Sequence, residues 1–299
     1  MQIEHPYSDL SGSGQWICGN LHAHTIFSDG LRDRQAIIDD YAARHHGFLM
    51  LSDHDYFTSE ADYQNLDTRG MILIPGNEIT ANGPHLLHVH ADRKVEPHTD
   101  RQKVLDEIRS ARGFAIANHP NWQNNFAHCP QELLEMWCGY VGLEIYNGTI
   151  GRLDGSPYAT NRWDILLAAG RRVWGFANDD SHLPADDVGL GWNCAYVEER
   201  TVEGVTNALR MGRFYASTGV VITQVRVERN QIYIETENAE RIVALQDVGR
   251  RLKVTDARFI EVEVPTTAKY IRFECWGRGE SFAWTQPFFI MSETCCLQV

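Results

Sequence analysis

The chain has 299 residues, 43% hydrophobic and 22% charged, with a formal net charge of −13. This balance fits one large folded domain, or a medium one with a small companion. An acidic surface argues against general nucleic-acid binding, no run reaches the roughly 20 apolar residues of a membrane helix, and an N-terminus without a basic start or apolar core makes a cytoplasmic location the expectation.

Short apolar runs alternate along the chain with stretches of helical spacing. The runs are 16–21, 48–51, 71–75, 86–89, 114–117, 141–145 and 173–177, and the helical stretches are 34–44, 100–112, 131–137 and 161–170. Gly113 and Gly170 stand where helices would stop. This alternation predicts parallel strands in an α/β layer or barrel. After about Gly219, the segments 221–228, 231–237, 242–246, 259–264 and 268–275 alternate apolar and polar residues with no helical stretch between them. They predict a small antiparallel β unit, so the expected domains are 1–218 and 219–299. Seven cysteines without a CxxC pair, two of them adjacent at Cys295 and Cys296, predict reduced thiols and no disulfide framework.

Nearly every apolar run ends in a histidine or a carboxylate, and strand ends are where α/β folds collect catalytic groups. The first run ends in His22-Ala23-His24, followed by Ser28-Asp29-Gly30; the second ends in Asp53-His54-Asp55 and the third in Glu78. The fourth carries His85, His88 and His90, the fifth ends in His119-Pro120, the sixth in Glu144 and Asn147, and the seventh in Asp179-Asp180-Ser181-His182. Residues i and i+2 of an extended segment share a face. His22 and His24 can therefore reach one ion, at a nitrogen–metal distance of about 2.0–2.1 Å, and the turn at Ser28 would bring Asp29 back towards it. Any one of these groups alone reads as a capped turn or a solvated pair. Together on one rim they would repel one another unless cations lay between them. His5, His45, His46, His98 and His128 have no such partners and are expected at the surface or in local hydrogen bonds.

At these residues the sequence resembles the PHP family, the polymerase and histidinol phosphatase superfamily of metal-dependent phosphoesterases, over roughly residues 15–218. The resemblance rests on His22-x-His24-Thr25 with Ser28-Asp29-Gly30, Asp53-His54-Asp55, Glu78, His119-Pro120 and Asp180-x-His182, in that order. Finer texture, including Glu144-x-Tyr146-Asn147-Gly148 and Ala283-Trp284-Thr285, is similar to the CehA/McbA-like branch. The resemblance implies a distorted seven-stranded (β/α) barrel of PHP type followed by a small antiparallel, sandwich-like β domain. It implies two or three divalent ions, Zn²⁺, Mn²⁺ or Fe²⁺, at the strand ends. His22, His24, Glu78 and Asp180 would surround a first ion. Glu78, His119 and a fourth-strand histidine would surround a second, and His54 with His182 a third. Asp29 replaces a histidine common in the family and suits a harder ion. On the fourth strand His85 is expected, with His88 as the alternative.

The implied reaction is hydrolysis of a phosphate ester of a small metabolite or nucleotide by a metal-activated hydroxide. His24, His54 and Asp55 are candidates for proton transfer, and Asp53 and Asp179 for orienting ligand histidines. Arg152, with Arg32 and Arg213, is a candidate clamp for the substrate anion, and Trp122 a candidate wall. Two other readings use the same residues: a carbamate or amide hydrolase, whose pocket would be apolar and aromatic, and a non-enzymatic metal-bearing scaffold. An amidohydrolase barrel would want a lysine at a middle strand end, where this chain has none. The expected partner is a small phosphorylated substrate, with no membrane, and the sequence sets no oligomeric state.

Overall fold

The computed structural model describes residues 2–8, 10, 12–184 and 187–291. Cys295, Cys296 and the end of the expected second domain lie outside the described residues. In chain order the elements are β1 (Gln2–Glu4), β2 (Gln15–Asn20), α1 (Arg34–Ala43), β3 (Phe48–Met50), α2 (Glu60–Tyr63), β4 (Ile72–Ile74), β5 (Gly76–Ile79) and β6 (Leu86–Val89). There follow α3 (Arg101–Ser110), β7 (Phe114–Ala117), α4 (Gln131–Met136), β8 (Tyr140–Asn147), α5 (Thr160–Ala168), β9 (Trp174–Asn178), β10 (Trp192–Val197), α6 (Val202–Arg210) and β11 (Phe214–Ser217). The remainder is β12 (Ile222–Glu228), β13 (Gln231–Thr236), β14 (Arg241–Gln246), β15 (Arg250–Thr255), β16 (Phe259–Glu263), β17 (Tyr270–Trp276), β18 (Phe282–Thr285) and β19 (Phe288–Met291).

Side-chain caps fix where the helices begin. Asp33, Asp100 and Thr201 accept the amides of Ala36, Gln102 and Gly204 at 2.8, 3.1 and 3.0 Å at the starts of α1, α3 and α6. Gly170, at φ +84°, ends α5 in the left-handed conformation that glycine adopts without penalty.

The fold is mixed α/β. β2, β3 and β4 are parallel neighbours, as are β7, β8 and β9. β5, β6 and β7 instead pair antiparallel. Pro75 separates β4 from β5, and residues 80–85 between β5 and β6 are too few for the crossover that parallel pairing requires. The two sheets meet at their strand ends. The amides of Asp180 and His24 donate to His22 O and Ser181 O at 3.0 and 2.8 Å, and those of Glu78 and Asp55 donate to Ser52 O and Glu78 O at 3.1 and 2.7 Å. Strand-like pairing thus extends to the residues carrying the histidines and carboxylates. Leu21, Phe48, Met50, Leu87, Ile116 and Phe176 pack in one core, and Leu105, Leu134 and Trp163 tie α3, α4 and α5 to the sheet in another.

Hydrogen bonding crosses the expected boundary at residue 218. One sheet runs β1-β19-β17-β18-β11-β10-β2-β3-β4, while β12, β13 and β16 form a separate three-stranded sheet. Ile232, Ile234 and Ile260 of the smaller sheet share a core with Ile242, Ile271 and Phe273 of the larger. Cys18 and Cys194 stand directly opposite each other on antiparallel β2 and β10 and form a disulfide. This corrects the expectation of wholly reduced thiols, since 176 residues separate the pair in sequence and only the register brings them together. Among the described residues, no helix is long and apolar enough to cross a membrane.

Candidate metal centre

The first motif leaves β2 at Asn20 and carries His22 and His24, both fully buried, to the meeting point of the two sheets. The turn that follows needs Gly30, because a side-chain carbon there would lie 2.4 Å from His24 O. Asp53 accepts from the Thr25 amide, the Thr25 hydroxyl and the Ser28 hydroxyl at 2.7, 2.8 and 2.8 Å. It braces this turn and reaches His24 through the Ser28 hydroxyl, which lies 3.4 Å from His24 Nδ1. Asp179, expected in the same role, is engaged elsewhere. It accepts the amides of Gly189, Leu190 and Gly191 at 2.8, 2.7 and 2.8 Å and anchors the loop behind the site.

Glu78 lies at the centre and is fully buried. Its Oε1 is 3.3 Å from His22 Nε2, 3.1 Å from His85 Nδ1 and 3.3 Å from His119 Nε2. Its Oε2 is 2.7 Å from His54 Nδ1 and 3.7 Å from His24 Nε2. Asp180 Oδ1 lies 3.1 Å from His22 Nε2 and 3.0 Å from His24 Nε2. Asp29 Oδ1 lies 3.4 Å from His54 Nε2 and 3.3 Å from His182 Nε2, with His24 Nδ1 at 3.9 Å. The structure therefore brings His22, His24, Asp29, His54, Glu78, His85, His119, Asp180 and His182 together.

Their donor atoms fall into overlapping groups: His22, His24 and Asp180; His22, Glu78 and His119; His54, Glu78 and His85; and His24, Asp29, His54 and His182. His88, the alternative on the fourth strand, points away, its Nε2 3.0 Å from Arg112 O. The alternation of side chains along β6 makes the two choices exclusive. Asp55, expected among the catalytic groups, is engaged elsewhere. Its oxygens accept the Thr80 amide, the Thr80 hydroxyl and the Ala81 amide at 2.9, 2.9 and 3.0 Å. Arg152 lines the cavity above the cluster, whereas Arg213 lines a separate recess and Arg32 is buried against Asp40.

Electrostatics keep the carboxylates charged. Burial opposes ionisation of Glu78, but the surrounding His22, His85 and His119 hold its pKa well below the usual carboxylate value. Asp180 is lowered in the same way by His22 and His24, against the penalty of burial. The hydrogen bonds to His182 and His54 lower Asp29. Burial disfavours charge on His22, yet Asp180, Glu144 and Glu78 outweigh it and raise its pKa. His24 is pushed down to about 4, chiefly by burial, with Asp180 opposing.

The residues fit bound cations on one further observation. His22 Nε2, His24 Nε2, His54 Nδ1, Glu78 Oε2 and His119 Nδ1 are buried without a hydrogen-bond partner. Orphaned buried polar atoms are costly. Four of these five face the shared interior among the carboxylate oxygens at the distances given above, which suits imidazole and carboxylate ligands of a divalent ion. His119 and Asp180 also sit at φ +26° and +58°, a backbone conformation that non-glycine residues sustain where the surroundings impose it.

Two groups take roles that the sequence did not assign. Glu144 Oε1 lies 2.7 Å from His22 Nδ1, and its Oε2 accepts the His119 amide at 2.9 Å. His128, expected at the surface or in a local bond, is buried, and its Nε2 accepts the amide of His85, 43 residues away, at 3.0 Å. Glu144 stood visibly at the end of its apolar run, but nothing in the spacing of His128 set it apart.

No protein-family model matches the sequence, and no curated protein matches it. Among solved structures, the chain is similar to a two-domain protein from Bacteroides vulgatus containing a predicted PHP-like metal-dependent phosphoesterase. The two share 16% identity, with 95% of this chain and 89% of that one covered, at a TM-score of 0.56. It is more distantly similar to a candidate metal-dependent phosphoesterase from Bifidobacterium adolescentis (16% identity, 55% and 87% covered, TM-score 0.44). A third similarity is to an amidohydrolase from Chromobacterium violaceum with bound sulfate (15% identity, 57% and 89% covered, TM-score 0.41). The fold is thus shared with a two-domain PHP-like protein along nearly the whole chain.

Proposed function

We propose that the chain is a metal-dependent phosphoesterase of the PHP superfamily that hydrolyses a phosphate ester of a small molecule. The observation that carries this reading is the convergence of nine imidazole and carboxylate side chains, among which His22 Nε2, His24 Nε2, His54 Nδ1 and Glu78 Oε2 face the shared interior buried and without a hydrogen-bond partner. In it, β2, β3, β4 with β5, and β6 to β9 are the seven staves of a distorted barrel, with the cluster at one rim. His22, His24 and Asp180 hold one ion; Glu78, His85 and His119 a second; Asp29, His54 and His182 a third. Bound divalent ions would supply Lewis-acid activation of water and compensation of developing negative charge. The protein holds the donors in place: Glu144 orients His22, Asn118 Nδ2 donates to Glu78 Oε1 at 2.6 Å, and Asp53 braces the first turn. Arg152 faces the substrate's phosphoryl oxygens, and His24 with His54 lies close enough to the centre to move a proton.

The test is reconstitution with Mn²⁺, Zn²⁺ or Fe²⁺ and assay against sugar phosphates, nucleotides and phosphodiesters, beside Glu78→Ala and His22→Ala. Full activity in variants that have lost their metal would sink the reading. A carbamate or amide hydrolase is the second reading. It is favoured by the apolar cavity wall of Trp122, Ile150 and Leu153, and aryl carbamates belong in the same panel.

A further inference from the structure

We infer that the centre acts on a substrate whose departing alcohol is compact, uncharged and apolar, seated on Trp122, Ile150 and Leu153. This rests on the hydrolytic reading of the same site and specifies the part of the substrate that reading left open. In hydrolysis the water oxygen bonds to phosphorus, the ester P–O bond breaks, and the alcohol leaves with a proton from that water.

Size comes first. The cavity holds about 290 Å³, at the small end of the roughly 300–1,000 Å³ typical of small-molecule sites. Its floor is the histidine and carboxylate cluster, which takes the phosphoryl group. The space left over is bounded by Trp122, Ile150 and Leu153, beside Thr149 and Arg152. Leu153 is 46% exposed there. A lone exposed leucine is ordinary, but this one shares a cavity wall with a tryptophan and an isoleucine.

Charge and hydrogen bonding agree. Among the described residues lining the cavity, Arg152 is the one arginine or lysine. Its Nη2 lies 3.1 Å from Oδ2 of Asp187, which is fully buried and also accepts the amides of His182 and Leu183 at 2.6 Å each. The cation is therefore partly neutralised and tied to the loop that carries His182. The Thr149 hydroxyl is spent on Asp180 O at 2.5 Å. A sugar or a nucleoside would bring hydroxyls and ring nitrogens to a wall with few free partners, and burying such groups unpaired costs free energy. An apolar group loses nothing there and gains from leaving water.

Phosphonates separate binding from turnover, because their C–P bond is not hydrolysed. With Mn²⁺-loaded protein, calorimetry is expected to show 2-phenylethylphosphonate binding at least about 10-fold tighter than 2,3-dihydroxypropylphosphonate, the scale on which apolar pockets discriminate. Leu153→Ser, at a half-exposed position, is expected to reduce that ratio to about threefold or less. Equal or tighter binding of the dihydroxy compound overturns the inference. So does a ratio that Leu153→Ser leaves intact, or a failure of both compounds to bind at millimolar concentration. A protein that discriminates between the phosphonates but hydrolyses neither matching phosphate ester rejects the phosphoesterase reading and leaves the apolar wall standing.

Discussion

Glu144 and His22 are joined by a fully buried contact of 2.7 Å between Oε1 and Nδ1, which turns the other ring nitrogen towards Glu78 and Asp180. The same carboxylate also fixes the backbone of His119 and accepts from Asn147 Nδ2 and Asn178 Nδ2 at 2.8 and 2.9 Å. Carboxylates that hold ligand histidines commonly contribute about 10–100-fold to metal affinity. Glu144→Gln is expected to weaken metal binding by that order with the fold intact. Equilibrium dialysis against Mn²⁺ or Zn²⁺, beside circular dichroism, measures both, and an unchanged dissociation constant would remove Glu144 from the site.

The residue order made most of this centre legible. His22, His24, Glu78, His119 and Asp180 each close an apolar run, and alternation along β6 separates His85 from His88. What stayed hidden depends on register between distant strands. Asp179 has the composition of a histidine partner, but three backbone amides claim its oxygens, and Asp53 is held by one amide and two hydroxyls of the first turn. Cys18 and Cys194 become neighbours only through the pairing of β2 with β10. The reversal of β6 follows from a link too short to cross over, a length that was readable, whereas the continuation of one sheet past residue 218 was not.

Cation binding should stabilise the fold, since ions would engage buried atoms that are now orphaned. A ligand present at 100 times its dissociation constant adds about 2.7 kcal/mol, roughly 5–10 °C in Tm for a domain of ordinary size. Chelator-treated protein is expected to melt that much below Mn²⁺- or Zn²⁺-loaded protein in scanning fluorimetry, and Glu78→Ala to lose most of the difference. Superimposable melting curves up to millimolar metal would contradict the binding of ions at this cluster.

Away from the site, Asp164 on α5 meets Arg272 on β17. Asp164 Oδ1 and Oδ2 accept Arg272 Nε and Nη2 at 2.7 Å each, and the Tyr270 hydroxyl donates at 2.8 Å. Arg272 is 1% exposed and Asp164 5%. Arg272 Nη1 also donates to Glu274 Oε1 at 2.8 Å, so removing Asp164 leaves the guanidinium half-paired, with a cost at the lower end of the about 3–5 kcal/mol of a fully stranded charge. Asp164→Ala is expected to lower urea-unfolding stability by that amount, while joint replacement of both residues by apolar ones of similar volume should cost far less. Equal losses in the single and double variants would show that packing, and not the stranded charge, sets the penalty.

His46 supplies a pH dependence separate from the metal cluster. It is 9% exposed, packed edge-on to Tyr41, with ring centroids 5.1 Å apart. Burial pushes its pKa down from 6.5 to about 4. Between those values the unfolded chain takes up a proton that the folded chain refuses, so the unfolded state binds more protons and stability falls as pH falls through that window. Above pH 6.5 the group is neutral in both states and contributes no slope. At about 1.4 kcal/mol per pH unit the full effect approaches ~3 kcal/mol, on top of losses from other groups. Comparison with His46→Gln, which cannot titrate, isolates it. The stability difference between the two proteins, from urea midpoints at pH 7, 6 and 5, should shift steadily against the wild type as pH drops. Parallel lines would mean that the imidazole is protonated as readily inside the fold as outside it.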